Sequence, residues 1–293
     1  MGINAFGKTS KVFLKAEDKN GKTILEDVHF TAPYKIMRPF EKKDGSIEVM
    51  LMAASAGIME GDCQEFQFQI GHGAKVEFRS QSYEKIHQMK AGSARRSTRI
   101  EVQAGGEFYF HPQPVIPFAD SAFDNRTSIF LEDESAAFFM SEILSAGRSA
   151  RGEMFDYRFY KNLTEIRRGE KLIYRDNTQY VPSQMPMGEL GMYEGYTHML
   201  NIFVTRPAYA EEFVKLARGV LDSQEQIEAG ITKLEDGDYV IRALGYRAQS
   251  LEKISELLLQ DLGKIHDKIN YYCFLFPYTS SLPRMLPVIF FHL

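Results

Sequence analysis

Two carboxylates on either side of a glycine- and arginine-rich segment are the residues best suited to chemistry. Glu142 and Glu153 flank residues 147–152, which include Arg148 and Arg151. Paired carboxylates can act as the general acid and base of a glycosidase. The same residues could form a carboxylate–guanidinium cluster that lines a polar channel or an interface. An ordinary surface loop with weak salt bridges is the third interpretation, and the sequence alone favours it.

The other candidate groups do not form a specific catalytic pattern. The sequence has no GxSxG elbow, phosphate-binding glycine-rich loop or HExxH motif. The histidines show no metal-ligand spacing, although His87 and His111 both end predicted strands in polar surroundings. His198 lies on an apolar strand, which is typical of a hydrogen-bonded core histidine. Asp62 and Cys63 are adjacent potential metal ligands, but one pair is too few for a site.

Composition limits the class of protein. The chain has 293 residues, of which 44% are hydrophobic, enough for one large domain or two small ones. Its net charge of −4 argues against nucleic acid as the main partner. Cys63 and Cys273 form no disulfide framework. Residues 1–14 lack the pattern of a secretion leader, so we expect a cytoplasmic protein.

The elements that must position the candidate groups begin with two strands. Residues 66–70 alternate apolar and polar side chains, which predicts a half-buried strand. Gly71 and Gly73 predict a turn at residues 71–73, and a second alternating strand follows at residues 74–78. Residues 80–87, SQSYEKIH, are too rich in polar groups for ordinary core. We predict a strand pair with a functional edge.

This strand–turn–strand unit recurs with a period of about 30 residues. The first strand is repeated near Ile100 and Ile129, and the second near Phe108 and Phe138. Such a repeat is typical of the stacked coils of a β-solenoid. Evenly spaced hairpins of a β-sandwich would give the same spacing, and spacing alone favours the sandwich.

The second half of the chain adds helices to a β-rich body. Residues 163–174 predict a hairpin, and residues 197–205 predict a central strand because both faces are apolar. Apolar residues at helical spacing predict helices at residues 211–221 and about 250–268. Residues 271–293 are apolar but interrupted by prolines, so no membrane-spanning helix is predicted there. We expect an extended tail that docks on another surface or is poorly ordered.

Seven stretches spread along the chain carry a family resemblance. They are TAPYKIMRPF at 31–40, GIMEGD at 57–62, SQSYEKIH at 80–87, PQPVIPF at 112–118, SEILSAGRSARGE at 141–153, YRDNT at 174–178 and YEGYTHMLN at 193–201. Together they resemble the UreD family of urease accessory proteins, called UreH in Helicobacter, whose Helicobacter branch looks most similar. The resemblance covers residues 11–268.

The resemblance implies a fold, a role and partners. It implies a mainly β fold with a β-helical, solenoid-like body and two α-helices toward the C-terminus. It also implies a single UreD-type domain over residues 1–270, followed by an unmatched apolar tail over residues 271–293. The implied role is not enzymatic. It is a urease maturation scaffold that bridges apo-urease to UreF and the GTPase UreG, in heterocomplexes that could dimerise.

Nickel would pass through a polar interior tunnel, and no cofactor would be bound tightly. A closed site of three or four His or Cys ligands would trap Ni²⁺, so a conduit needs weak and scattered contacts. We expect five side chains to contact nickel in transit: Asp62, Glu84, His87, Glu142 and Glu153. Five others are expected in scaffold or interface positions: Tyr83, Lys85, Arg148, Tyr196 and His198.

Two other functions remain open at this point. One is a carbohydrate-active enzyme on a β-solenoid, with Glu142 and Glu153 as its acid and base. The other is a β-rich interaction module with no role in metal delivery. The three hypotheses differ in whether nickel loading, polysaccharide turnover or neither depends on the protein.

Overall fold

A computed structural model describes residues 9–207 and 209–275, with side chains described as far as Leu262, Asp261 excepted. In this part of the chain, eighteen strands precede or alternate with two α-helices. The elements in chain order are β1 (Thr9–Asp18), β2 (Thr23–Phe30), β3 (Tyr34–Ile36), β4 (Phe40–Glu41), β5 (Ile47–Ala53), β6 (Cys63–Ile70), β7 (Lys75–Ser80), β8 (Glu84–Ile86), β9 (Ala94–Val102), β10 (Glu107–His111), β11 (Val115–Pro117), β12 (Ala122–Leu131), β13 (Ala137–Ser145), β14 (Phe159–Arg168), β15 (Lys171–Tyr180), β16 (His198–Val204), α1 (Ala210–Asp222), β17 (Ile227–Lys233), β18 (Tyr239–Gly245) and α2 (Ala248–Leu275).

The strands form two sheets. The first sheet has seven strands in the order β15-β14-β12-β9-β6-β1-β2. The second has eleven, with the main order β17-β18-β16-β13-β10-β7-β5-β3. Neighbours from β1 to β14 in the first sheet are parallel, and so are β5, β7, β10 and β13 in the second. Antiparallel strands flank each parallel region.

Successive strands alternate between the two sheets. β6, β9 and β12 lie in the first sheet, whereas β7, β10 and β13 lie in the second. The turn at residues 71–73 therefore crosses from one sheet to the other, and the predicted pairing of the two strands it joins is wrong. The physical reason is burial of both apolar faces. Phe68 and Phe78 meet across the core, with ring centroids 4.8 Å apart.

The predicted repeat is present as strand register. Phe66 lies opposite Thr98, Val76 opposite Phe108, and Phe108 opposite Phe138. The mainly β class, with two helices toward the C-terminus, is confirmed. The solenoid-like body remains a prediction.

The two helices cover the outer face of the second sheet. Buried residues of both helices pack on β13, β16 and β18: Phe213, Ala217, Leu221, Ala248, Leu251, Ile254, Leu258 and Leu262. α2 continues to Leu275, so the first residues of the predicted extended tail are helical. The rest of that predicted tail, residues 276–293, lies outside the described residues. Within the described residues, no helix has the length and apolar character needed to cross a membrane.

Candidate functional site

Parallel register aligns inward-facing side chains of the first sheet in rows that cross β6, β9, β12 and β14. The first row consists of Gln64, Arg96, Asn125 and Asn162. The second, two residues further along each strand, consists of Phe66, Thr98, Thr127 and Thr164. The third consists of Phe68, Ile100, Ile129 and Ile166. The space between the sheets therefore changes from polar to apolar along the strands.

A cavity of about 520 Å³ lies between the sheets at the polar rows. We call it the polar cavity. Its acidic lining residues come from separate elements: Asp62 precedes β6, Glu84 lies in β8, Glu142 in β13 and Asp176 in β15. The lining therefore extends across the first sheet from β6 to β15. Carboxylates placed in this way can attract a cation at several points.

A buried ion pair lies within the polar cavity. Arg96 Nη1 donates to Glu84 Oε2 at 2.5 Å, and Nη2 donates to Glu84 Oε1. Arg96 Nε donates to Gln64 Oε1 at 2.8 Å, and the ring of Phe66 lies 4.7 Å from the guanidinium carbon. Burial disfavours the charge on Arg96, but its interactions with Glu84 and Tyr34 together outweigh burial and raise the pKa of the guanidinium above its ordinary value. The cavity thus contains a permanent positive charge.

Among the carboxylates that line the cavity, Glu142 has a clearly raised pKa. Its Oε2 accepts a hydrogen bond from Asn162 Nδ2 at 3.2 Å, and Asn162 Oδ1 accepts one from Asn125 Nδ2 at 2.7 Å. Burial raises the pKa of Glu142 to about 7, while Asn162 opposes the rise and the charge of Asp176 adds to it. The carboxyl group can therefore exchange a proton near neutral pH, and a bound cation would compete with that proton.

Asp176, in β15, lines the polar cavity at the edge of the parallel region of the first sheet. Its Oδ2 accepts hydrogen bonds from Arg242 Nη2 at 2.8 Å and from Asn201 Nδ2 at 3.1 Å. Its Oδ1 accepts one from Thr178 Oγ1 at 3.1 Å. The side chain of Asp176 is 13% exposed and that of Arg242 is 58% exposed. This ion pair connects the cavity lining with the protein surface.

Three of the five residues predicted to contact nickel line the polar cavity: Asp62, Glu84 and Glu142. His87 and Glu153 are not among its lining residues in the described part of the chain. His87 Nε2 lies 2.9 Å from the carbonyl oxygen of Ala56. Glu153 is paired with Arg148 and accepts a hydrogen bond from the backbone of Ala119 at 2.6 Å. The cavity thus contains only one of the two carboxylates considered as a glycosidase acid and base.

Two of the predicted interface residues border the same cavity. Tyr83 and Lys85 belong to the segment between β7 and the end of β8. The Tyr83 hydroxyl donates to Glu252 Oε2 of α2 at 2.8 Å, and burial raises the pKa of Tyr83 to about 12. This hydrogen bond connects the cavity border with the helix layer.

The remaining predicted interface residues lie away from the cavity lining. The guanidinium of Arg148 lies over the ring of Phe118 at 4.1 Å. Tyr196 packs on Tyr246 with ring centroids 4.7 Å apart. His198 Nδ1 lies 2.8 Å from Thr197 Oγ1, and burial lowers the pKa of His198. The core-histidine interpretation of His198 agrees with this half-buried, hydrogen-bonded position.

Sequence reasoning missed several residues of the polar cavity: Arg96, Asn125, Asn162, Asp176 and Asn201. The sequence pattern does point to two of them. Asn125 and Asn162 each begin an inward-facing series that continues with Thr and then Ile at every second residue, so both asparagines occupy core positions of their strands. Polar residues at core positions call for a partner or a cavity. Asp176 also lies within the YRDNT stretch.

The described residues contain no group of three or more His, Cys, Asp or Glu side chains arranged to hold a metal ion. The lining carboxylates are instead dispersed, and two of them, Glu84 and Asp176, are already paired with arginines. The arrangement suits repeated weak electrostatic contact with a cation.

Comparison with known proteins identifies the family. Residues 8–267 match the family model described as UreD urease accessory protein. The chain is 38% identical to urease accessory protein UreD of Acetivibrio thermocellus over 256 residues, which cover 87% of this chain and 97% of that protein. It is 35% identical to urease accessory protein UreH of Helicobacter pylori strain P12 over 265 residues, covering 89% and 98% respectively.

A further relative is urease accessory protein UreH of Helicobacter hepaticus, 34% identical over 250 residues that cover 85% of this chain and 96% of that protein. The family resemblance predicted from the sequence, including that to the Helicobacter proteins, is confirmed. The family match over residues 8–267 includes all the residues that line the polar cavity. This chain belongs to the UreD family of urease accessory proteins.

Proposed function

We propose that this protein is a urease maturation scaffold that passes nickel through the polar cavity to apo-urease. In this proposal it acts in the cytoplasm and joins apo-urease to UreF and the GTPase UreG. Nickel is cargo in transit, no cofactor is bound tightly, and the chain catalyses no reaction itself. Two copies of the heterocomplex could associate.

The observation that carries the proposal is the polar cavity in a chain of this family. A space between two sheets is normally filled with apolar side chains. Here it is lined by Asp62, Glu84, Glu142 and Asp176. Carboxylate oxygens bind Ni²⁺ less tightly than closed sites of His or Cys ligands do. They therefore suit the passage of nickel better than its retention.

The course of the chain supports a solenoid-like body for this path. Each coil would contribute one strand to each sheet, such as β6 and β7, and then β9 and β10. The interior of such a stack is continuous from coil to coil, because parallel strands place equivalent residues in line. A polar row can then extend across several coils.

Two apolar side chains among the described residues are strongly exposed. Phe40, in β4, is 59% exposed, and Leu190, between β15 and β16, is 89% exposed. A protein partner could cover either one, but single exposed apolar residues are common on protein surfaces and do not identify an interface. The identities of UreF and UreG as partners rest on the family resemblance.

The test compares two carboxylates that the structure places differently. In cells with a complete urease gene cluster, deletion of this gene should remove both urease activity and urease-bound nickel. Glu142→Gln should lower urease nickel several-fold, because it removes a charge from the polar cavity. Glu153→Gln is the matched control and should leave nickel content close to wild type, because Glu153 lies outside the cavity lining. Assembly is checked by co-purification of this protein with urease.

Two results would contradict the proposal. Urease that fills with nickel in the deletion strain would show that the protein is not required. Equal nickel content with both glutamine variants, in complexes that assemble normally, would remove the polar cavity from the path.

A further inference from the structure

Arg96 places a fixed positive charge among the carboxylates of the polar cavity. Its side chain is only 11% exposed. In its row it lies between Gln64 and Asn125. The rings of Phe66 and Phe123 lie 4.7 and 5.8 Å from its guanidinium carbon. Burying a charge costs free energy. A fixed positive charge also repels the cations that a cation path must admit, so we expect Arg96 to have a specific function.

The contacts of Arg96 indicate what this function is. Both carboxylate oxygens of Glu84 accept hydrogen bonds from Arg96. A carboxylate held in this bidentate way is not a free ligand. A divalent cation that approached Glu84 would also be repelled by the guanidinium, and the repulsion is strong where water is partly excluded.

One oxygen atom beside Arg96 has no hydrogen-bond partner among the described residues. Asn125 Oδ1 has no hydrogen-bond partner in the described part of the chain, and Asn125 is 7% exposed. Asn125 lines the polar cavity directly beside Arg96 in the first row. This amide oxygen and the lining carboxylates are hard oxygen ligands of the kind that divalent cations accept.

We propose that Arg96 keeps the polar cavity from retaining a divalent cation, because it occupies Glu84 and repels any cation that stops beside it. The inference rests on the proposed function, in which nickel must leave the cavity. It assigns to Arg96 the role of a positioning residue that keeps the affinity low. Without Arg96, the same lining becomes a binding site.

The experiment measures Ni²⁺ binding by the purified full-length protein, using equilibrium dialysis against nickel chloride. Arg96→Gln should bind nickel at least about tenfold more tightly than wild type. Arg96→Lys keeps the positive charge and should bind as weakly as wild type. The double variant Arg96→Gln with Glu84→Gln should lose the gain, which would locate the bound ion at Glu84. Arg96→Met provides a second neutral replacement if the glutamine variant does not fold.

The inference is overturned if folded neutral variants bind nickel no more tightly than wild type, or if Arg96→Lys gains as much affinity as Arg96→Gln. Its failure can be separated from failure of the proposed function. If neutral variants gain no affinity but Glu142→Gln still lowers urease nickel, only the role of Arg96 is wrong. If they gain affinity but no cavity variant changes urease nickel, the cavity binds cations without delivering them to urease.

Discussion

The two halves of the space between the sheets have the same backbone architecture and opposite character. In the apolar half, Ile100, Ile129 and Ile166 are aligned in one row and fully buried. In the polar half, four residues earlier along the same strands, the row contains Arg96, Asn125 and Asn162. The difference shows that one set of strands can supply both the hydrophobic core and a polar passage, because register keeps like residues together.

The two halves also differ in what they contribute to stability. Burial of apolar area in the apolar half stabilises the fold. The polar half contains buried oxygen atoms without hydrogen-bond partners within the described residues, those of Asn125, Thr164 and Asn201. Such an atom costs free energy unless water in the cavity satisfies it. The polar half therefore stabilises the fold less than the apolar half does.

The largest effect on stability is expected from a buried ion pair at the far end of the apolar half. Arg168 Nη2 donates to Asp238 Oδ1 at 2.6 Å, and the two side chains are 8% and 0% exposed. Asp238→Ala should lower the free energy of unfolding by about 3–5 kcal/mol, because it leaves a buried guanidinium unpaired. Urea unfolding measures this loss. A loss below about 1 kcal/mol would show that Arg168 finds water or another partner.

A matched pair of substitutions in β12 compares the two halves directly. Ile129→Ala in the apolar half should lower the free energy of unfolding by about 2–4 kcal/mol, because it leaves a void in the core. Thr127→Ala, two residues earlier and facing the polar cavity, should cost about 1 kcal/mol or less. Chemical denaturation of both variants gives the difference. Equal losses would contradict the division of the interior into two halves.

The raised pKa of Glu142 predicts a pH-dependent stability difference. Burial moves the pKa from an ordinary value of 4.5 to about 7, so between these values the folded protein binds more protons than the unfolded chain. Stability attributable to Glu142 therefore falls as pH rises through this window, and the penalty is complete above it. Glu142→Gln should stabilise the protein by about 1–3 kcal/mol at pH 8, the lower end allowing for water in the cavity.

The same substitution should have little effect below the ordinary pKa of 4.5, where Glu142 is mostly protonated in both the folded protein and the unfolded chain. Thermal unfolding of wild type and Glu142→Gln across this pH range measures the difference. A stability difference that does not change with pH would show that Glu142 is solvated like a surface carboxylate.

The smallest effect is expected at the border of the polar cavity. Tyr83→Phe removes the hydrogen bond to Glu252 of α2 and should cost about 0.5–1 kcal/mol, because the pair is partly exposed. Double-mutant analysis with Glu252→Ala, which removes the acceptor, measures the coupling between the cavity border and the helix. Additive effects of the two substitutions would show that the hydrogen bond does not couple them.

Much of the fold follows from local sequence patterns. Alternation predicts the strands that contain Phe66 and Phe78, and helical spacing predicts α1 and α2. The repeat correctly places Phe108 opposite Phe138. Spacing could not show that β6 and β7 lie in different sheets, because a glycine turn can lead into a hairpin or across a core. That choice depends on burial of both apolar faces.

The site was less predictable because its contacts join residues far apart in the chain. Asp176 contacts Arg242, and Asn162 contacts Glu142, through side-chain hydrogen bonds between the two sheets. Glu142 and Glu153 look equivalent in sequence, yet one faces the cavity and the other follows the strand in a loop. Acidity identifies candidates, but strand direction and register decide which of them share a site.

The measurement that tests the central claim most directly is the nickel content of urease matured with a blocked polar cavity. Thr127→Phe places a large ring on a residue that lines the cavity, whereas Ser128→Phe places the same ring on the next residue, which faces the opposite side of the strand. With equal assembly on urease, we expect low nickel with Thr127→Phe and normal nickel with Ser128→Phe. Normal nickel with Thr127→Phe would contradict the claim that nickel passes through the polar cavity.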